Sequence, residues 1–263
     1  MDLALKDRVA VIGGSSAGIG FAIAELCASE GAAVTLVARR KEPLEAAAES
    51  LRAKTGARVL AVPADIRRAD DCARVIESAK AEFGRIDVLV NNDGAPPLGR
   101  LEEFDDAAWD KAVQQNLMSV VRLSRLALPL MRANQFGRIV NITALSALQP
   151  IARFGLSVST WAAVIGYAKT LSLEVASDQI TVNTICPGRI ATGRLAKVFG
   201  ASATQSADED AEMLARIKRE IPMQRVGEPH EIAGLVALLA SPYGAYITGA
   251  TFHVDGGRRA SLL

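Results

Sequence analysis

The chain has 263 residues and a formal net charge of +1, with 50% hydrophobic and 5% aromatic residues. This length fits one large α/β domain, and the aliphatic content is enough to bury a core without disulfides or metals. A net charge so close to zero argues against nucleic acid or an anionic membrane as a partner.

Short aliphatic and β-branched runs alternate along the chain with longer stretches of helical periodicity. The predicted strands cover residues 8–13, 33–38, 58–62, 87–91, 138–142, 180–185 and 251–254. The predicted helices cover residues 19–29, 43–54, 69–83, 105–133, 156–176 and 228–240. Nearly continuous Val, Ile and Leu are typical of strands that are covered on both faces. The alternation predicts a single α/β domain over residues 1–263, with a Rossmann-type, doubly wound parallel sheet of about seven strands and helices on both faces.

Residues 189–221 interrupt this alternation. The segment is polar and has no regular pattern, with Ser, Thr and acidic residues between Ser202 and Glu212. Because it follows the sixth predicted strand, it lies at the carboxyl edge of the sheet, where insertions often cover a substrate. We therefore expect a substrate lid at residues 189–221.

The three cysteines, Cys27, Cys72 and Cys186, are widely spaced, and neither His230 nor His253 belongs to a metal-binding pattern. This argues against a disulfide framework or a metal site and for a reducing compartment. No apolar run approaches the roughly 20 residues of a membrane span, and the first residues lack the hydrophobic region of a signal peptide. The expectation is a soluble, cytoplasmic protein.

A glycine-rich turn, Gly13 to Gly20, joins the first predicted strand to the first predicted helix. Glycines let the backbone turn sharply and approach a pyrophosphate, and the helix N-terminus offers it unpaired N–H groups. Any tight turn can use glycine, so the position between a strand and a helix is what favours a dinucleotide site. The candidate cofactor contacts in this turn are Gly14, Ser15, Ser16, Gly18, Ile19 and Gly20.

The spacing of Gly14, Gly18 and Gly20 resembles the GxxxGxG motif of the short-chain dehydrogenase/reductase family, which usually has Thr where this chain has Gly13. Further family motifs follow in order over nearly the whole chain. They are Asp65-Ile66 (the pair that brackets the adenine), Asn91-Asn92-Asp93-Gly94 (the family's NNAG, with Asp93 for Ala), Asn116 (the helical Asn of the catalytic tetrad), Pro187-Gly188 (the turn after the sixth strand) and Val254-Asp255-Gly256-Gly257. Within the family, the chain resembles the 3-oxoacyl-carrier-protein reductases. The resemblance implies a nicotinamide-dependent oxidoreductase, and it adds Asp65, Ile66, Asn92, Gly94, Pro187, Gly188 and Ile190 to the candidate cofactor contacts.

The end of the second predicted strand indicates which cofactor is preferred. An acidic residue there would bind the ribose hydroxyls of NAD(H), but the chain has Ala38 followed by Arg39 and Arg40. A guanidinium can pair with a 2′-phosphate through charge-assisted hydrogen bonds. We therefore expect NADP(H) to be favoured over NAD(H), with Arg39 on the phosphate. The alternative, that both arginines merely begin a surface helix, fits Arg40 better than Arg39.

The resemblance fails where the family places its proton-transfer residues. The family has a Ser after the fifth strand, a Tyr on the next helix and a Lys four residues later, and an ungapped alignment puts Ala144, Ser157 and Trp161 at these positions. A phenol titrates near pH 10. An ammonium about 4 Å away, at an effective dielectric of about 20, stabilises the ionised phenol by about 4 kcal/mol. Ser157 and Trp161 supply neither group, and Trp161 is expected to form an apolar wall beside the cofactor.

Other polar side chains could take over part of this chemistry. Thr143 and Ser146 flank Ala144, so with Ser157 they are candidate catalytic hydroxyls. Asn116 keeps its family position, with the alternative that it satisfies backbone groups at a helix irregularity. Arg153, in the preceding loop, is a possible cation.

Tyr167 and Lys169 do not restore the missing pair. Tyr167 lies ten residues after Ser157, which is about 15 Å along a helix. Lys169 is two residues further and points to nearly the opposite face of the helix.

Two functions from different classes fit this pattern. The first is an NADP(H)-binding reductase or alcohol dehydrogenase that moves a hydride between a carbonyl and a secondary alcohol, with an atypical or water-mediated proton relay. The second is a catalytically inactive NADP(H)-binding sensor or partner subunit.

The two predicted helices at residues 105–133 and 156–176 carry more apolar residues than one sheet-facing side needs. Family members resembling this chain use these helices in a four-helix dimer contact, so we expect a homodimer or homotetramer. The alternative is that the surplus packs within one subunit. The residues concerned are Val120, Val121, Leu126, Leu128, Val164 and Leu171.

Overall fold

Seven parallel strands form one sheet in the structure, a computed structural model that describes residues 2–198 and 207–261. They are β1 (Val9–Gly13), β2 (Ala33–Ala38), β3 (Val59–Pro63), β4 (Val88–Asn91), β5 (Gly137–Ile142), β6 (Ile180–Pro187) and β7 (Thr251–Val254). Their spatial order is β3-β2-β1-β4-β5-β6-β7, and every neighbouring pair is parallel. The predicted Rossmann-type, doubly wound sheet is confirmed.

The direction of winding reverses at β1, which has β2 on one side and β4 on the other. In sheets of this kind the loops after the two central strands diverge and leave a crevice at the carboxyl edge. The glycine-rich turn follows β1, and Asn92 follows β4. The fold therefore brings the two motifs to the same crevice.

Helices cover both faces of the sheet. They are α1 (Gly18–Ser29), α2 (Lys41–Thr55), α3 (Ala69–Phe83), α4 (Asp106–Val113), α5 (Ser119–Ala133), α6 (Gly155–Val175), α7 (Gly193–Val198), α8 (Ala207–Arg219) and α9 (Pro229–Ala240). One core joins α1, α2 and α9 to the sheet, and the other joins α3, α5 and α6. Ile12 lies in the first core and its neighbour Val11 in the second, because successive strand residues point to opposite faces.

The helix predicted at residues 105–133 is interrupted. A π turn, Gln114–Met118, separates α4 from α5 and contains Asn116. A π turn widens the helix by one residue and is frequent at functional sites. The irregularity considered for Asn116 is therefore present, although its side chain bonds to another side chain and not to the backbone.

The irregular structure expected for residues 189–221 is wrong for much of the segment. Helices α7 and α8 occupy its described parts, while residues 199–206 lie outside the described residues. Both helices follow β6 at the carboxyl edge of the sheet, so the lid itself stays a prediction.

Most of the apolar surplus on α5 and α6 packs within the subunit. Val120, Leu128, Val164 and Leu171 are at most 8% exposed. Val121 and Leu126 are partly buried. These residues no longer argue for an oligomer, and the homodimer or homotetramer stays a prediction.

All three cysteines are buried free thiols. Burial raises the pKa of Cys27 to about 12 and the pKa values of Cys72 and Cys186 to about 11. Among the described helices, none is long and apolar enough to cross a bilayer.

Candidate cofactor and substrate site

The turn after β1 has the backbone shape that a bound pyrophosphate requires. Gly14 and Gly18 adopt left-handed φ angles of 57° and 62°, which glycine reaches without steric cost. A Cβ on Gly20 would clash with the carbonyl oxygen of Gly14, and a Cβ on Gly13 would lie 2.5 Å from the carbonyl oxygen of Asn92. The turn is thus a glycine cradle at the N-terminus of α1, and it fits a dinucleotide phosphate.

Two polar side chains fix this turn to its neighbouring strands. The Ser15 hydroxyl donates to the carbonyl oxygen of Ile12 at 2.8 Å and accepts from the N–H of Val37 at 2.8 Å. Asn92 donates from Nδ2 to the carbonyl oxygen of Gly13 at 3.0 Å. Ser15 is fully buried and its N–H donates to the carbonyl oxygen of Val37 at 3.2 Å, so in this structure Ser15 has a structural role.

A cleft of about 530 Å³ extends from this turn along the carboxyl edge of the sheet. Nine of the residues predicted to bind cofactor line it: Gly14, Ser16, Gly18, Ile19, Asn92, Gly94, Pro187, Gly188 and Ile190. The remaining five, Ser15, Gly20, Arg39, Asp65 and Ile66, are not among its lining residues. Arg39, Asp65 and Ile66 lie beyond the end of the cleft, after β2 and β3.

Arg39 and Asp65 belong to a charged cluster with Arg67 and Asp93. Arg67 donates from Nε to Oδ1 of Asp65 at 2.8 Å, and this hydrogen bond lowers the pKa of the Asp65 carboxyl. Burial raises the pKa of Asp93, which lines the cleft. The charge of Arg39 lowers the pKa of both carboxyls, whereas burial raises it. Arg39 is exposed and Arg40 lines the cleft, so the role of Arg39 on a 2′-phosphate stays a prediction.

The far part of the cleft contains the positions where the proton-transfer residues were expected. Thr143, Ala144, Ser146 and Trp161 line it. Thr143 Oγ1 is already engaged, 3.3 Å from the Ile185 carbonyl oxygen and 3.1 Å from Cys186 Sγ. Ser146 is 2% exposed, and its Oγ has no hydrogen-bond partner among the described residues.

Ser157 lies apart from these residues. It is 1% exposed and does not line the cleft. Its Oγ, like that of Ser146, has no hydrogen-bond partner among the described residues, so a catalytic role for Ser157 stays a prediction. The positions of Arg153, Tyr167 and Lys169 are also outside the cleft lining.

Trp161 borders both the cleft and a small cavity beside Asn116. The indole is 8% exposed and lines both the cleft and a second cavity of about 20 Å³, which Asn116 also lines. Asn116 donates from Nδ2 to Thr160 Oγ1 at 2.8 Å, and its Oδ1 is buried without a partner within the described part of the chain. The expected apolar wall is thus where the sequence placed it, next to the remaining member of the tetrad.

Comparison with known proteins agrees with the fold and the motifs. A family model described as Enoyl-(Acyl carrier protein) reductase matches residues 14–259. 3-Oxoacyl-[acyl-carrier-protein] reductase FabG of Escherichia coli (strain K12) is 37% identical over 254 residues, which are 96% of this chain and 97% of the relative. The chain belongs to the short-chain dehydrogenase/reductase family.

Two solved structures of reductases superpose closely on this short-chain dehydrogenase/reductase. L-sorbose reductase from Gluconobacter frateurii, complexed with NADPH and L-sorbose, has a TM-score of 0.96 and 37% identity, with 100% of each chain covered. YwfH, an NADPH-dependent reductase involved in bacilysin biosynthesis, has a TM-score of 0.91 and 30% identity over 97% of this chain and 99% of that one. The family is one of oxidoreductases, and the cleft lies at its usual position in the fold.

The cleft is rich in arginine. Across residues 2–198 and 207–261, the cleft lining includes no Tyr, Lys, His or Cys, but it includes Arg40, Arg189, Arg194 and Arg258. The sequence interpretation did not identify these arginines as site residues. A basic residue directly after Pro187-Gly188 was the one available signal, since that turn was already assigned to the cofactor.

Proposed function

We propose that the chain binds NADP(H) along the cleft and interconverts a carbonyl and a secondary alcohol slowly, with water as the proton source. The observation that carries this proposal is the continuous path from the glycine cradle to Ser146. The cradle can hold a pyrophosphate, and the cleft beyond it has room for both a nicotinamide and a small substrate. When bound, NADPH would supply the hydride.

The adenosine end would be held by the turns after β1, β2 and β4. The N–H groups at the start of α1 would face the pyrophosphate. Arg39 and Arg40 are both exposed after β2 and would pair with a 2′-phosphate, whereas no carboxylate stands at Ala38 to bind ribose hydroxyls. The NADPH named with both structural neighbours supports this preference.

The substrate end would orient a carbonyl without an effective acid. The Ser146 hydroxyl, buried and without a partner in the described residues, can donate to a carbonyl oxygen. An alkyl hydroxyl releases its proton far less readily than a phenol, so Ser146 would position the carbonyl and solvent would protonate it. Loss of a positioned general acid typically lowers a rate by about 10²–10⁴-fold.

Trp161 offers no route for a proton from the cavity beside Asn116 to a carbonyl at Ser146, because an indole does not act as an acid or a base. The indole lines both the cleft and the cavity beside Asn116, as do Asp93, Thr143 and three other residues. That cavity, about 20 Å³, is large enough for about one water molecule. A water there would have the indole on one side, and the indole carries no ionisable group.

The side chains that line the cleft also favour a second function. Since no Tyr, Lys, His or Cys of the described chain lines the cleft, the protein could bind NADP(H) as a sensor or partner subunit without turnover. Helices α7 and α8 would then close over the cofactor alone. In the reductase they would act as the lid over cofactor and substrate.

The experiment separates binding from turnover. NADPH binding is measured by quenching of tryptophan fluorescence, and NADPH oxidation is measured at high enzyme concentration with a panel of ketones, 2-oxo acids and 3-oxoacyl thioesters. Gly14→Ala should abolish binding, because Gly14 has a φ of 57° and a Cβ would lie 2.7 Å from Asn92 Nδ2. Gly166→Ala is the matched control, since nothing lies within 4 Å of the added Cβ.

Slow oxidation of NADPH that depends on one substrate supports the reductase. Binding without oxidation for the whole panel supports the sensor or partner subunit. No binding of NADPH by the native chain would overturn both.

A further inference from the structure

The far end of the cleft carries a concentration of positive charge. Arg189 directly follows the Pro187-Gly188 turn after β6, and Arg258 follows the end of β7. Their side chains are only 12% and 15% exposed, and both line the cleft. Each guanidinium approaches the same atom, Oε2 of Glu220, at 3.5 Å for Arg189 and 2.9 Å for Arg258. Two cations are thus held together at one place in the cleft wall.

The arginine pair and the glycine cradle follow different strands of the sheet. The cradle follows β1, whereas the pair follows β6 and β7, which are three and four strands away. With strands about 4.8 Å apart, these separations are about 14 and 19 Å. These are separations between strands, and the segment after Arg189 returns to the cradle, where Thr192 Cγ2 would lie 3.4 Å from a Cβ on Gly18. The titrations below therefore use the NADPH-loaded protein, in which an anion site filled by the cofactor would show no preference for an acid over its ester.

The charge of the cleft favours an anionic ligand besides the cofactor, because three lining arginines remain when Arg40 is assigned to the 2′-phosphate. Among the described residues, the lining contains four arginines and one acidic residue, Asp93, and Asp93 lies next to the charges of Arg39 and Arg67, at the adenosine end. Arg194, also in the lining, forms no ion pair or hydrogen bond with any described residue. Glu220 is 42% exposed, so solvent screens its charge more than that of the two arginines.

Apolar side chains line the same cleft as the arginine pair. Leu145, Ile151 and Phe154 line the same cleft, together with the unpartnered Ser146 hydroxyl. A ligand that fits this lining has a carbonyl oxygen for Ser146, an aliphatic body and a carboxylate at one end. A guanidinium binds a carboxylate through two parallel hydrogen bonds, which a neutral ester or sugar cannot accept with the same strength.

Resting on the proposed function, we infer that the substrate is an aliphatic oxo acid whose free carboxylate binds Arg258 and Arg189. This substrate class differs from the neutral sugar in the L-sorbose reductase complex. Glu220, which directly follows α8, would bring that segment to the same pair of arginines.

The test is a binding measurement on the NADPH-loaded protein and needs no turnover. The probes are 2-oxohexanoate and 5-oxohexanoate, each with its methyl ester, titrated calorimetrically. We expect one of the acids to bind at least about tenfold more tightly than its ester, because only the acid forms charge-assisted hydrogen bonds. Arg258→Met should remove this difference, and Arg258→Lys should restore part of it. Arg100→Met, at a 69% exposed side chain outside the cleft, is the matched control and should leave it unchanged.

Glu220→Gln distinguishes a binding site from a latch that only holds α8 in place. A binding site predicts tighter binding of the acid and little change for the ester, because a competing negative charge is removed. A latch predicts that Glu220→Gln and Arg258→Met weaken acid and ester alike, which would overturn the inference. Equal affinities of acid and ester, or no detectable binding of either acid, would also overturn it. Failure of the native protein to bind NADPH would instead reject the proposed function.

Discussion

Asn116 in the π turn is joined to Thr160 on α6 by a hydrogen bond of 2.8 Å between Nδ2 and Oγ1. Thr160 in turn donates to the carbonyl oxygen of Leu156 at 2.7 Å. Both residues are at most 4% exposed. The member of the tetrad that this chain retains thus anchors the π turn to α6, one residue before the indole that replaces the family's Lys.

Thr160→Val should destabilise the fold by about 1–3 kcal/mol, because it leaves the buried Asn116 amide without its acceptor. Unfolding in urea would measure the change. Thr170→Val is the matched control: Thr170 makes the same bond to a carbonyl four residues earlier on α6, but it is exposed. Its effect should stay within about 0.5 kcal/mol. Similar losses for the two variants would show that the bond to Asn116 contributes nothing.

Arg39→Asp should reverse the cofactor preference. The native chain should bind NADPH much more tightly than NADH, and the variant should bind NADH more tightly, because the new carboxylate repels a 2′-phosphate and accepts from ribose hydroxyls. Trp161, in the cleft wall, provides the fluorescence signal. Arg40→Asp is the comparison, and reversal by Arg40→Asp alone would transfer the role to that residue. Equal native affinities for both cofactors would reject the preference.

Carbonyl reduction by the native chain should be very slow or absent with ordinary ketones and 3-oxoacyl thioesters. The triple change Ala144→Ser, Ser157→Tyr and Trp161→Lys should raise the rate, because it supplies the hydroxyl, the phenol and the ammonium together, and single changes should do little. Steady-state NADPH oxidation measures both. Native turnover of about 1–10³ s⁻¹ on any of these substrates would show that another group supplies the proton. Ser146→Ala is then the first variant to make.

Glu231 should stabilise the fold in a pH-dependent way. It receives two hydrogen bonds from Arg225 and one from the N–H of Glu228, and the bond from Arg225 is the main reason that the pKa of Glu231 falls to about 2. A carboxyl whose folded pKa is depressed contributes its full stabilisation above its unfolded value and loses it as the pH falls towards the folded value. The native chain should therefore be more stable than Glu231→Gln at pH 7, and the difference should shrink between pH 4.5 and 2.

Gln keeps an oxygen for the N–H of Glu228, so this comparison isolates the charge. Glu102→Gln, whose pair with Arg100 is about 70% exposed on both sides, should show almost no such dependence. A difference for Glu231→Gln that stays constant down to pH 2 would contradict the assignment.

The chain should form a homodimer or homotetramer, with a mass in light scattering that is a multiple of 27.7 kDa. Burial within the subunit removes most of the original apolar argument, but Leu173 on α6 is 72% exposed. Leu173→Glu should shift the assembly towards the monomer, because it places a charge on the proposed helical contact. Tyr246→Glu, at a fully exposed position outside these helices, is the control. A native monomer at micromolar concentration would reject the oligomer.

The fold was predictable because most strands are buried on both faces and the helices that cover the sheet are buried on one. Residues such as Val11 and Ile12 read as an unbroken apolar run, which identifies a covered parallel strand. Glycines at positions 14, 18 and 20 marked the cradle, since their spacing follows from backbone geometry. The π turn at Asn116 left no comparable trace, because the helical periodicity continues through it.

The arginine pair could not be found from the sequence. Arg189 and Arg258 are far apart along the chain, and only the pairing of β6 with β7 brings them together. Ser157 illustrates the reverse case. The alignment gives its position on α6, but the reach of a Tyr does not transfer to a side chain that ends at Oγ.

The three buried thiols allow local unfolding of the protein to be followed by chemical modification. The thiolate is the nucleophile that attacks reagents such as maleimide, and pKa values of about 11 to 12 leave almost no thiolate at neutral pH. Cys27 lies in the core beneath α1 and α9, Cys72 lies in the core beneath α3, and Cys186 lies beside Thr143 at the cleft. The order in which an excess of maleimide modifies these thiols would therefore report which layer of the molecule separates first. A single cysteine introduced at an exposed site such as Tyr246 could be labelled selectively in the native state.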